Sequence, residues 1–262
     1  MELGLKNRRA IISGANRGIG RTIALAFAQE GMHVALLGRN EKACAELADE
    51  IVSSGGVTAV AVTMDLEHPE TIPPAVEQAV AAIGGLDVLV NCAGGAYRGR
   101  LAEIPDEMWE RYFKVKPLGL IRMTRAAFPH LKKSDQGRVI NISGTRGREP
   151  EAHSMMSGPI NFGTLSVTKA LANEFGAFGI TVNAIAPGST RTRRWDELVS
   201  ITARERKTDE KEAEAHLLRE VPLGKVIEPE DVADLAVFLA SARSGNISGT
   251  AINVDGGRTR SI

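Results

Sequence analysis

The sequence predicts an α/β protein, a doubly wound parallel sheet forming a single domain over residues 1–262. Three observations carry that reading. Apolar runs of strand length alternate with amphipathic stretches of helix length, which means parallel strands covered on both faces. Apolar residues make up 43% of the chain and aromatics 4%, so the core must be aliphatic, which suits buried parallel strands. The stretch Ser13-Gly14-Ala15-Asn16-Arg17-Gly18-Ile19-Gly20 lies between an apolar run and a helical pattern. A strand, a glycine turn and a helix start in that order receive phosphate. The glycines let backbone approach it, and the helix N–H groups and dipole attract its charge.

The elements follow in order. Arg9–Ser13 reads as the first strand and Gly18–Glu30 as its helix. Val34–Leu37 is the second strand, before a helix over Glu41–Ser53. Ala59–Val62 is the third strand. Pro69–Ile83 is helical, with Pro73 and Pro74 tolerable only near its start. Leu86–Val90 is the fourth strand, and Asp106–Leu131 a long helical pattern interrupted by Pro117. Arg138–Ile142, Thr181–Ile185 and Thr250–Val254 complete the sheet, with a long helix over Met155–Phe178. Arg191–Glu220 breaks the rhythm: it is charged, has no strand, and fits helices near Trp195–Arg206 and Asp209–Arg219. Such an insert is either a lid over the site or a solvated excursion.

Composition limits the partners. Lys plus Arg and Asp plus Glu number 32 each, without a basic run, so nothing points to nucleic acid or an anionic membrane. Cys44 and Cys92 lack metal-ligand spacing, so neither a disulfide nor a metal site is expected, and a reducing cytoplasm is the expected location. Met1–Lys6 has no signal-peptide apolar core, and no run of about 18 apolar residues spans a bilayer.

Several motifs agree in order and spacing with one family. Ser13–Gly20 resembles T-G-x-x-x-G-x-G with Ser for Thr, and Asn91-Cys92-Ala93-Gly94 resembles N-N-A-G. Pro187-Gly188 with Thr192 resembles P-G-x-x-x-T, and Val254-Asp255-Gly256-Gly257 the closing strand. The chain thus resembles the short-chain dehydrogenase/reductases over essentially its whole length. The resemblance implies a Rossmann fold, a nicotinamide cofactor, a small-molecule substrate and a homodimer or homotetramer. In such assemblies Phe113, Leu120, Phe162 and Leu165 could serve a helical seam. The implied cofactor contacts are Gly14, Asn16, Arg17, Gly18, Ile19, Gly20, Arg39, Asp65, Leu66, Asn91, Ala93, Gly94, Pro187, Gly188 and Thr192, Asp65 being the residue that meets the adenine. An acidic residue ending the second strand would select NAD. Gly38 stands there instead, followed by Arg39, and Arg17 lies in the turn, so NADP (NADPH) is favoured over NAD.

The family's usual catalytic Asn, Ser, Tyr and Lys map to Lys116, Gly144, Ser157 and Asn161, so all four positions differ. Ser143 is one residue from the serine's place. Tyr112-Phe113-Lys114-Val115-Lys116 is a formal Y-x-x-x-K in the wrong helix, mainly a coincidence. Pro117 should bend the chain and turn Lys116 toward the site. Tyr97, Lys116 and His153 are the candidate catalytic groups: Tyr97 follows the fourth strand, and His153, on the loop entering the active helix, is otherwise an ordinary exposed loop residue. Arg98, Arg100, Arg146 and Arg148 could line the mouth for a carboxylate, phosphate or coenzyme A-type substrate, or be solvated loop charge. Three functions fit: an atypical oxidoreductase with a replaced catalytic set, a non-redox aldolase, lyase or isomerase, or an inert nucleotide-binding partner subunit. Ordinary Tyr/Lys-dependent carbonyl reduction is not expected.

Overall fold

The computed structural model describes residues 2–95, 97–152 and 154–261. Seven parallel strands form one sheet in the order β3-β2-β1-β4-β5-β6-β7. They are β1 (Arg9–Ser13), β2 (His33–Gly38), β3 (Ala59–Thr63), β4 (Val88–Asn91), β5 (Arg138–Ile142), β6 (Thr181–Pro187) and β7 (Ala251–Val254). The predicted doubly wound α/β fold is therefore present. Successive strand side chains point to opposite faces. Ile12 enters one aliphatic layer with Phe27 of α1 (Gly18–Gln29), Leu47 of α2 (Glu41–Ser54) and Val232 of α9 (Pro229–Ala240). Ile11 enters the other with Val76 of α3 (Ile72–Ile83), Met123 of α5 (Pro117–Leu131) and Phe175 of α6 (Ser157–Phe175). Each large side chain so buried stabilises the fold by roughly 1.5–3 kcal/mol.

The sequence reading needs several corrections. It omits α9, whose start is marked by Pro229 and by reciprocal capping between Glu228 and Asp231. Pro69 opens a separate short turn, so α3 begins at Ile72 and keeps Pro73 and Pro74 in its first turn. By contrast, the interruption expected at Pro117 is present: the pattern over 106–131 is two helices, α4 (Asp106–Val115) and α5, broken at Lys116. α6 begins at Ser157 rather than Met155, and ends at Phe175 before a short turn.

The charged insert forms α7 (Arg193–Arg206) and α8 (Glu210–Leu218). Trp195, Val199, Ala203 and Ala213 give it a small core with Val226. No helix among the described residues is long and apolar enough to cross a membrane.

Candidate active site

The chain winds outward from β1 to β3, then crosses back to β4 beside β1, creating a crevice at the carboxyl ends of these strands. Ser13 pairs in register with Asn91 there. Its Oγ accepts from the backbone N–H groups of Cys92 and Ala93 at 3.2 and 3.3 Å, tying the glycine turn to β4. Gly14 has φ +73°, and a Cβ on it would stand 2.8 Å from Ala93 Cα. A Cβ on Gly20 would stand 2.3 Å from Gly14 O, so the helix start presses directly on the turn. The first turn of α1 has neither an acidic residue nor a side-chain cap. Its N–H groups and dipole are suited to the oxygens of an anion.

Other predicted nucleotide contacts lie on the segments that follow these strands. Thr192 Cγ2 reaches to 3.4 Å from a Cβ built on Gly18, joining the turn to the segment after β6. Gly188 is pressed against Asp255, where a Cβ would lie 2.8 Å from the Asp255 Cβ. Asn16 Oδ1 faces Gly38 at the end of β2. Leu66 is buried and borders a small cleft with Ser13, Asn91, Ala93, Lys116 and Ile142. Asp65 Oδ1 accepts from Glu67 N at 3.0 Å, fixing the turn after β3. Asn91 donates to Thr124 and to Asn141, which donates on to Thr168, a polar ladder through the centre of the molecule. The buried Asn91 Oδ1 has no hydrogen-bond partner within the protein, an acceptor left for a ligand or water. Arg17, at the N-cap of α1, is exposed, whereas Arg39 is paired with Glu67 at 2.9 Å.

Lys116 is the site's most distinctive group. Its stem lies along Gly94, where a Cβ would stand 3.0 Å from the Lys116 Cβ. Its Nζ donates to Asn161 Oδ1 at 2.7 Å and to Ser143 O at 3.1 Å. Burial lowers its pKa to about 8; Cys92 opposes that shift and Arg194 adds to it. Burial also pushes the Cys92 thiol up to about 12, against a smaller lowering by Lys116, which makes it a poor nucleophile. At the break before Pro117, Lys116 borders the small cleft shared with Ser13, Asn91 and Ala93.

Around this ammonium, Ser143 Oγ donates to Asn161 O at 3.1 Å and is committed to the α6 backbone. Ser157 is buried at the start of α6. A Cβ on Gly144 would stand 3.0 Å from Asn161 Nδ2, so the amide uses the space a side chain would need. Tyr97 is half-exposed at the mouth, its backbone N–H near Met156 Sδ. Tyr112 packs beside Gly95 and against Met156 and Ile160. His153 lies outside the described residues.

Two expectations about arginines need correction. Arg146 is ion-paired with Glu151, and Arg148 Nη2 donates to Ala251 O at 2.9 Å. Both serve loop architecture rather than standing open at the mouth. Arg194, which sequence reasoning did not single out, brings Nη1 to 3.3 Å from a Cβ built on Gly95. Its signal was proximity to Thr192, the last residue of the P-G-x-x-x-T pattern. Leu120 is buried and unavailable to a surface seam, while Phe162 and Phe113 are exposed.

Fold and turn together define a doubly wound α/β protein with an anion-receiving helix end at its switch point. A family model described as enoyl-(acyl carrier protein) reductase matches residues 14–259. Among curated proteins, the chain is 32% identical over 262 residues to (2S)-[(R)-hydroxy(phenyl)methyl]succinyl-CoA dehydrogenase subunit BbsD of Thauera aromatica, covering 98% of each chain. It is 32% identical over 257 residues to 3-oxoacyl-[acyl-carrier-protein] reductase FabG of Aquifex aeolicus, covering 98% of this chain and 99% of that one. The crystal structure of L-sorbose reductase from Gluconobacter frateurii, complexed with NADPH and L-sorbose, superposes with a TM-score of 0.95 at 29% identity, covering 100% of both chains. The chain belongs to the short-chain dehydrogenase/reductase family of oxidoreductases.

Proposed function

We propose that this protein is an NADP(H)-dependent oxidoreductase acting on a small anionic carbonyl or conjugated enoyl substrate, with Lys116 supplying the positive charge at the reacting centre. The observation that carries the reading is the 2.7 Å hydrogen bond from Lys116 Nζ to Asn161 Oδ1. By the family pattern, a lysine is expected at 161 and an asparagine at 116. The two residue types have exchanged helices here, and still meet.

The residues fit the cofactor. Gly14, Gly18, Ile19 and Gly20 give the pyrophosphate an approach to the α1 start, where no acidic residue of the first turn repels it. Gly38 leaves no carboxylate against a 2′-phosphate, and Arg17 and Arg39 offer cations to it. Asp65, Leu66, Asn91, Ala93, Gly94, Pro187, Gly188 and Thr192 complete the contact set. A bound NADP(H) supplies or accepts the hydride. The chain's own task is to orient the substrate oxygen and handle its proton. Ser157 has no phenol to offer, and the loss of a positioned acid typically removes about 10²- to 10⁴-fold in rate. An ammonium with a pKa of about 8 is matched to proton donation near neutrality. Tyr97 at the mouth is the second candidate donor. In this reading the substrate anion meets Arg194, and the 191–220 segment that carries it serves as a lid. Support from relatives is the NADPH in the L-sorbose reductase complex and the acyl-CoA named in the Thauera relative. Exposed Phe113 and Phe162 favour a homo-oligomer built on α4 and α6.

The test begins with NADPH and NADH binding, followed by NADPH oxidation with ketones, keto acids and enoyl thioesters. Lys116→Met should lower kcat by at least about 10²-fold with NADPH affinity retained. The double exchange of Lys116→Asn with Asn161→Lys should recover more activity than either single change. NADPH binding without oxidation by any substrate class would replace this reading with that of an inert partner subunit.

A further inference from the structure

Glu67, in the turn after β3, holds two arginines on a single oxygen. Its Oε1 lies 2.9 Å from Arg39 Nη1 and 2.8 Å from Arg111 Nη2. Arg39 follows β2, and Arg111 projects from α4. The two guanidinium nitrogens therefore lie less than two hydrogen-bond lengths apart. Glu67 and one of the arginines have further contacts. Glu67 N is anchored on Asp65 Oδ1, and the Arg111 guanidinium stands 6.0 Å from the Tyr112 ring centroid, within cation–π range. Two convergent guanidiniums around one anionic oxygen are the geometry in which proteins take phosphate.

We propose that Arg111 is a second specificity-determining residue for the 2′-phosphate, and that Glu67 is the resident anion which this phosphate displaces. The proposal rests on the NADP(H) reading. Arg39 is the guanidinium expected beside Gly38, and the shared carboxylate adds Arg111 to it. A carboxylate offers one negative charge and two oxygens. A phosphate monoester offers about 1.5 to 2 charges and three terminal oxygens, and so outcompetes it for both cations. In the free protein, Glu67 keeps the guanidiniums together and cancels one of their two charges. NADH, with a 2′-hydroxyl, leaves the Glu67 pairs in place and gains nothing from Arg111.

The experiment measures binding of 2′,5′-ADP and 5′-AMP to the full chain by calorimetry, so turnover is not the readout. The wild type should favour 2′,5′-ADP. Arg111→Ala should shrink that preference by about tenfold, the worth of one charge-assisted contact, with 5′-AMP affinity unchanged. Glu67→Gln, which removes the competing charge but keeps the side chain's shape, should widen the preference by about threefold and steepen its salt dependence. Melting temperatures near that of the wild type exclude loss of fold as the cause. An undiminished preference in Arg111→Ala, alongside its collapse in Arg39→Ala, overturns the role of Arg111 and leaves the NADP(H) reading standing. A wild type that does not distinguish the two nucleotides overturns both.

Discussion

Gly144 and Asn161 share one small space: a Cβ on the first would stand 3.0 Å from Nδ2 of the second. The backbone at Gly144, with φ 169°, is extended and open to any residue, so the obstacle is the neighbour alone. Gly144→Ser should therefore displace the Asn161 amide and lengthen its bond to Lys116. The expected cost is about 1–3 kcal/mol in chemical denaturation, as for overpacking. Gly144→Ser with Asn161→Ala should recover much of it.

Lys116 predicts a pH profile. Its pKa falls from 10.5 to about 8, chiefly through burial. If the ammonium form works in reduction, kcat should drop about tenfold per unit above pH 8, and Lys116→Arg should flatten the profile. Stability runs the other way. Below pH 8 the charge is buried in the folded state at a cost. Between about 8 and 10.5 the unfolded chain binds more protons, so stability rises with pH by up to about 3 kcal/mol from this group. Lys116→Met should abolish that rise in melting temperature.

Asp87 anchors the opposite end of the sheet. Its side chain is fully buried. Burial would raise its carboxyl, but hydrogen bonds from Arg9 and Ser134 outweigh that and hold it below its ordinary range. This stabilisation is present above the ordinary carboxylate pKa and is lost as pH falls through the lowered value. Asp87→Asn should cost about 3 kcal/mol in urea unfolding at pH 7 and leave a flatter acid limb.

Gly14→Ala tests the turn. The added Cβ meets the Ala93 backbone at 2.8 Å, at a φ of +73° that L side chains rarely adopt. Nucleotide binding should weaken by at least about 10²-fold, a displacement effect on a close-approach site, and the melting temperature should fall. Unchanged titration would show that the turn does not meet the nucleotide.

Much of this fold was readable because its punctuation is local. Pro117 alone forecasts the break between α4 and α5, and the residues from Ser13 to Gly20 forecast the phosphate end of the sheet. Helix α9 carries equally local punctuation, in Pro229 and the Glu228–Asp231 capping pair. The site was readable only in part. Lys116 and Asn161 are 45 residues apart, and their meeting depends on how α5 and α6 pack. The pairing of Arg146 with Glu151 and the sharing of Glu67 by Arg39 and Arg111 likewise depend on side-chain reach, which periodicity does not encode.

The segment Ala93–Gly94 touches both halves of the crevice. Gly14 closes on Ala93 from one side, and Lys116 lies along Gly94 from the other. One peptide unit thus packs against both the glycine turn and the lysine stem. A side chain at Gly14 or at Gly94 would therefore crowd this backbone or the lysine stem, so the close fit of the two halves depends on both positions staying bare.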